Sequence, residues 1–430
     1  MKRRLVVCLD GTLNNAEQSV ALVGDHQLFK PTNVLKTCRA VLPAAADGTS
    51  QFVLYVEGVG SVVGEPVPMA GLVRLVENLV GGAFGAGFAA RIKSAYRFLA
   101  DNYQEGDEIF VFGFSRGAAE AQGLVRFVDW AGGLLHSDDE YYIAELFDGF
   151  AQCIAGGVTV DRVMDGIRGR HDPPRELTAA QKDCRDREKE NPHPPFMACE
   201  ASAEDPAARQ KIKPARPVDV HFLGVYDTVL SLGSRFETEG EVATTPPRFA
   251  YLCGRELPAI VKRARHAIAI DEWRWDFRPQ VWVRAADSAA SLEQVWFPGV
   301  HSNVGGGYAG DGLANAPLQW MIAEAIEAGL EVDARYLRHF VPWVCGDRPE
   351  TNTFWYRFGE LIRGKRGRGV RELPAGARLH ESAAWLLVND KTYRPANLLR
   401  HLAAHRDAID QFPAALQSRV RDIVAAFESR

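Results

Sequence analysis

Short apolar runs recur along the chain: LVVCL from Leu5, QFVLYV from Gln51, EIFVF from Glu108, VDVHFLGVY from Val218 and LEQVWFPGV from Leu292. Most are apolar at consecutive rather than alternate positions, which is how a strand covered on both faces reads. Between them lie stretches with helical spacing, such as Arg91–Tyr103 and Ala118–Trp130. Strands alternating with helices predict a three-layer α/β sandwich around a mostly parallel sheet. In such sheets chemistry collects at the carboxyl ends of the strands, and each of these runs ends in polar or glycine residues.

The pattern changes twice. From about Met164 to Pro217 the chain is rich in Arg, Lys, Asp, Glu and Pro, and this reads as an exposed lid or loop within an insertion spanning about 137–217. After about Gly329 it becomes helical and charged, ending in an amphipathic helix near Phe412–Phe427. The expected organisation is one unit over 1–330, with a helical C-terminal region, 331–430, packed on it. The glycine-rich segment Pro66–Ala90 contains Arg74 and Glu77, which argues against a membrane span. Val67–Ala90, with the insertion after Met164, reads as a wall of an acyl pocket or a lid, or as ordinary helix packing with Gly81, Gly82, Gly85 and Gly87 allowing close backbone approach. The basic start, Met1 to Asp10, has too short an apolar run for a signal peptide and reads as the first strand. The expectation is a soluble chain made in the cytoplasm.

Composition narrows the function classes. A net charge of −5 gives no general nucleic-acid footprint. Seven scattered cysteines, with no C-x-x-C pair, argue against a disulfide framework or a zinc site.

The sharpest chemical signal is IFVFGFSRGAA, a G-x-S-x-G motif in strand–turn–helix context. A serine at such an apex has strained backbone angles, and Gly113 and Gly117 let the helix pack close to the strand. Ser115 is the candidate nucleophile, and the Arg116 backbone N–H at the helix start is an oxyanion donor. A serine needs a base, and the base an orienting acid. Asp227 directly follows an apolar run, and His301 ends another and enters the glycine-rich SNVGGGY. The order Ser, Asp, His is that of α/β hydrolases. The bland readings are a helix cap or turn acid for Asp227 and a buried structural histidine for His301. His266 lacks a following glycine loop and ranks as supporting or structural. Asp129, on the helix after the nucleophile, and Asp287, in a polar loop, rank below Asp227.

Asp10-Gly11-Thr12 follows the first strand. The Gly11 or Thr12 N–H is a candidate second oxyanion donor, with an Asx-type turn built on Asp10 as the competing reading. Asp10, Asp227 and Asn303 all end strands, but without a recognised ligand spacing no metal is expected, and the proposed chemistry needs no cofactor.

Together the motifs VVCLDGTLNN, YVEGVGS, GGAFGAGFAARI, DEIFVFGFSRGAAEA, FLGVYDTVLSLG, RHAIAIDE, VWFPGVHSNVGGGY, LHESAAW and YRPANL resemble, in the same order, the catalytic domain of type VI secretion phospholipase effectors of the first lipase-effector family. That resemblance implies an α/β-hydrolase fold with a helical cap, and a Ser115, Asp227, His301 triad. It also implies an esterase or phospholipase A reaction on glycerophospholipids. Asn303 stands where the family pattern commonly has Asp. A non-lipid esterase and a silent binding or scaffold protein are the alternatives. Contact with a membrane surface, an immunity or delivery partner, and export by type VI secretion stay open.

Overall fold

A computed structural model describes residues 2–11, 19–23, 26–29, 31–58, 84–156, 159–170, 213–229, 254–285, 288–308, 310–346, 348 and 369–429. Thr12, Asp287, the glycine-rich stretch up to residue 83 and residues 171–212 of the insertion lie outside them.

The apolar runs form strands β1 (Arg4–Leu9), β4 (Gln51–Val56), β5 (Glu108–Phe114), β6 (Val220–Tyr226) and β8 (Ser291–Phe297). Two more strands join them, β7 (Arg263–Ala269) and the short β9 (Arg378–Leu379). All seven are parallel in the order β4-β1-β5-β6-β7-β8-β9. A separate antiparallel pair is formed by β2 (Ser19–Val23) and β3 (His26–Phe29).

Alternation within the buried runs sorts side chains to two faces. Leu5, Val7, Leu9, Ile109 and Val111 meet helices α2 (Phe84–Asn102) and α3 (Arg116–Trp130). Val6, Cys8, Phe110 and Phe112 point the other way, against α1 (Asn33–Ala40) and a later helix. Both faces are therefore covered, which explains why these strands read as continuous apolar runs. This is an α/β-hydrolase-like sandwich.

The charged segment read as a lid or loop from Met164 begins as helix, up to Arg170. After a 3-10 turn, α4 (Ile143–Gly156) and α5 (Val160–Arg170) bury Phe147, Phe150, Met164 and Ile167 in the α2–α3 core. The reason is aromatic: Phe147 and Phe150 pack on Phe127 at centroid distances of 5.1 and 5.4 Å. In VDRVMDGIRGR the helical periodicity lies beneath a high charge density, which hides it.

Beyond β8 come α6 (His301–Gly305), α7 (Gly312–Glu327) and the single turn α8 (Ala334–Leu337). Buried Lys36 of α1 reaches Asp311 and Asn315, each at 2.8 Å, tying α1 to the start of α7. At the β9 edge, α9 (Glu381–Asn389), α10 (Ala396–Ala404) and α11 (Ala414–Glu428) pack on Ile268, Ile270 and Trp296. No helix among the described residues is long and apolar enough to cross a membrane.

Candidate active site

The carboxyl ends of β1, β5, β6, β7 and β8, consecutive in the sheet, carry Asp10, Ser115, Asp227, Asp271 and His301 on their following turns. Ser115 sits between β5 and α3 with φ 59° and ψ −121°, a conformation forced by the abrupt change from strand to helix. Its N–H still pairs with Tyr226 O at 3.0 Å, so the elbow is anchored to β6. The flanking glycines are sterically required. A Cβ on Gly113 would lie 2.6 Å from Ala118 Cα, and one on Gly117 only 2.2 Å from Leu9 O. The second contact means that β1 and the nucleophile helix fit together only without a side chain there.

His301 Nε2 lies 2.8 Å from Ser115 Oγ, and His301 Nδ1 lies 2.6 Å from Asp227 Oδ2. An ionised carboxylate only accepts, so Nδ1 carries the proton and Nε2 accepts from the serine hydroxyl. The imidazole is held between rings: Phe114 at 4.7 Å and Phe277, edge-on, at 4.9 Å. Gly305 makes room for Phe114, since a Cβ there would fall 1.9 Å from its ring. Burial pushes the His301 imidazole below its usual value, and its bond to Asp227 pulls the other way.

Asp227 is fully buried and also has positive φ, 41°. Burial alone would raise its carboxyl, but Arg371 and His301 outweigh this and hold it well below the usual carboxylate range. Arg371 Nη1 and Nη2 lie 2.6 and 3.0 Å from Asp227 Oδ1 and Oδ2, a two-pronged pair, and Ala269 N–H donates to Oδ1 at 2.9 Å.

The His301 turn is fixed from behind. Gly299 N–H donates to Asp271 Oδ2 at 2.6 Å, Tyr393 OH reaches Asp271 Oδ1 at 3.2 Å, and His301 N–H donates to Glu272 Oε2 at 3.2 Å. Burial raises Asp271 to about 7. Glu272 is also buried, yet its bonds to Arg274 hold it down at about 2. Asn303 Oδ1 accepts from Val300 N–H at 3.1 Å, so asparagine fastens the turn without a charge.

Asp10 does not face the serine through its carboxylate. Oδ2 accepts from Thr32 Oγ1 at 2.6 Å and Tyr55 OH at 2.7 Å, and Oδ1 accepts from Gly11 N–H at 2.7 Å. The bond to Gly11 N–H is to the next residue; the Asx-type bond two residues on would involve Thr12, which lies outside the described residues. The Gly11 N–H is engaged by Asp10 and is not presented as an oxyanion donor in this conformation. Arg116 is the first residue of α3 and directly follows Ser115. The carboxylate oxygens of Asp10 and Asp227 are taken by these protein partners, and among the described residues no group of three His, Cys, Asp or Glu is disposed to hold a metal.

His266 lies buried on β7 and its Nε2 accepts from Thr228 N–H at 3.2 Å, supporting the turn after Asp227. Asp129 lies at the far end of α3 from Ser115. Sequence reading missed Arg371, Asp271, Glu272 and Phe277. The acid pair directly after the apolar RHAIAI was a usable signal for Asp271 and Glu272. Arg371, 144 residues from Asp227 and preceded by no motif, offered none.

Residues 3–324 match the family described as T6SS, phospholipase effector Tle1-like, catalytic domain. An uncharacterized Saccharomyces cerevisiae protein, YEL023C, is 31% identical over 136 residues, which are 30% of this chain and 18% of that protein. Among solved structures, an uncharacterized Pseudomonas aeruginosa protein is 17% identical with a TM-score of 0.38, covering 99% of this chain and 59% of that one. The Tle1 effector bound to the VgrG spike of the type 6 secretion system is 14% identical with a TM-score of 0.37, covering 88% and 80%. The chain thus spans about a fifth of its yeast relative's length. With three-quarters of its residues inside the family match, the chain belongs to the Tle1-like phospholipase effectors of type VI secretion, through their catalytic domain.

Proposed function

We propose that the chain is a serine esterase that removes acyl chains from glycerophospholipids, with Ser115 as nucleophile, His301 as base and Asp227 as orienting acid. The observation that carries this is the continuous Ser115–His301–Asp227 hydrogen-bonded relay at a strained strand-to-helix apex. Family membership supports the lipid as substrate.

The reaction follows from the proton positions. His301 Nε2 takes the hydroxyl proton as Ser115 Oγ attacks the ester carbonyl, and Asp227 stabilises the imidazolium through Nδ1–H. The Arg116 N–H then faces the developing oxyanion, a contribution of about 3 kcal/mol for one good donor. Thr12, which follows β1 in the sequence and lies outside the described residues, is the candidate for a second donor. His301 returns its proton to the leaving alcohol, and water hydrolyses the acyl-enzyme by the reverse sequence. No cofactor takes part. Synthesis in the cytoplasm, export by type VI secretion and a spike-type delivery partner belong to the same reading.

The test is incubation of the full chain with a fluorophosphonate, and separately with mixed phospholipid vesicles, followed by mass spectrometry. Label on Ser115 together with released fatty acid and lysophospholipid, both abolished in Ser115→Ala, is the expected outcome. Labelling without lipid cleavage would leave an esterase of soluble substrates. A folded protein that takes no label would be a silent hydrolase-fold scaffold.

A further inference from the structure

The relay from serine to histidine to aspartate is chemically complete without a cation on the aspartate. Yet Asp227 is gripped by a guanidinium that is itself almost wholly enclosed, with 1% of its side chain exposed. Arg371 is also built into place. Its Nη1 donates to Ala269 O at 2.8 Å and its Nη2 to Phe277 O, and its own carbonyl accepts from Asn397 Nδ2 at 3.0 Å. Asn397 Nδ2 also reaches Ile270 O at 2.9 Å, so α10 and the end of β7 hold the arginine from two sides. Arg371 lies beyond the residues that match the family, 3–324.

We infer that Arg371 is a positioning residue for the Ser115 site, fixing the plane of the Asp227 carboxylate and keeping the Asp227–His301 pair from taking up a second proton. The C-terminal region thereby completes the relay. This rests on the triad reading above.

The physical case has two parts. A buried carboxylate with only one imidazole and one N–H has lost most of its hydration, and it competes with histidine for the shared proton. A forked guanidinium satisfies both oxygens at once and holds them in one plane, which a lysine's point charge does not. The fixed positive charge also disfavours protonation of the pair, whichever member carries the proton, so the base stays available to lower pH. Other charges face the pair. Glu272, at the His301 N–H, is offset by Arg274 at 2.9 Å, while His266 behind Asp227 is held down to about 4 by burial and is neutral near pH 7. Burial raises Tyr308 further from titration, with Arg274 and Glu272 acting on it in opposite senses. Asp271 bonds the Gly299 turn rather than the imidazole.

The experiment compares wild type, Arg371→Lys and Arg371→Met in the full chain, each checked for folding by circular dichroism. Two readouts are taken across pH: the rate of fluorophosphonate labelling at Ser115, and the downfield proton resonance of the His301 Nδ1–H, assigned by its loss in His301→Ala. Arg371→Met should lower the plateau rate by about 10- to 100-fold, as losing a residue that orients a working group does. Its acid limb and the resonance titration should both move to higher pH. Arg371→Lys should lower the plateau while keeping the pH midpoint near wild type, because the charge stays and the fork goes. Wild-type behaviour of folded Arg371→Met in both readouts overturns the inference. If that variant does not fold, an unchanged plateau in Arg371→Lys does so. Wild type that takes no label instead refutes the hydrolase reading, and the resonance titration still decides whether Arg371 governs the pair.

Discussion

At the scale of single residues, the site is made by close approach as much as by chemistry. Gly117 is the clearest case, because the atoms a methyl would meet, Leu9 O at 2.2 Å and Asp10 O at 2.6 Å, are backbone and cannot rotate aside. Gly117→Ala must push α3 away from the end of β1, at a cost of about 1–3 kcal/mol. The displacement would fall on Ser115, two residues earlier, and on the Asp10 turn together. Folded Gly117→Ala should therefore label at Ser115 much more slowly than its loss of stability explains. A variant with wild-type labelling kinetics would show that the elbow tolerates the shift. Asp10 illustrates the same economy. Thr32 caps α1 by accepting from Leu35 N–H at 3.1 Å while its hydroxyl proton goes to Asp10, so one side chain fixes both the helix start and the turn after β1.

At the scale of elements, legibility followed burial. The central strands β1, β5 and β6 were visible because burial on both faces leaves apolar runs, the half-exposed edge strand β4 because its own residues are apolar, and Ser115, Asp227 and His301 because each closes an apolar run. β7 was ambiguous, since RARHAIA mixes two buried charged or polar residues, Arg265 and His266, into a strand. β9 spans only two residues and has no periodicity to read. Arg371 was invisible because its importance comes from a third element folding over the sheet edge. That edge layer rests on apolar stripes such as Leu416, Val420 and Val424 of α11, spaced four apart so that they share one helix face. Leu416→Ala should cost about 2–5 kcal/mol, the range for a buried leucine replaced without collapse of the site. Because the stripe shares a core with Ile268 and Trp296 of β7 and β8, the loss should shift one denaturation transition of the entire chain. A separate early transition in chemical denaturation would mean that the C-terminal layer unfolds by itself.

At the scale of the whole molecule, buried ionisable groups set how stability responds to pH. Glu120 on α3 is fully enclosed, 3.1 Å from Arg91, with neither oxygen hydrogen-bonded; burial lifts it from 4.5 to about 8. Asp271 rises from 3.8 to about 7 for the same reason. Both groups keep a proton in the folded chain that the unfolded chain has released, so stability falls as pH rises through their folded values. His266 and His380 are depressed by burial from 6.5 to about 4, which works in the opposite sense between those values and roughly cancels the carboxyls there. Below about pH 4, Asp227 and Glu272, whose folded values are depressed, lose their contribution as they protonate. The uncancelled window lies between about pH 6.5 and 8, where Glu120, protonated in the fold and ionised in the unfolded chain, removes about 2 kcal/mol of stability. Denaturation at constant ionic strength should therefore give a lower unfolding free energy at pH 8 than at pH 6.5. In Glu120→Gln, where no proton is released on this helix, most of that slope should vanish. An unchanged slope in the variant would place the pH dependence elsewhere and mean that Arg91 keeps Glu120 ionised throughout.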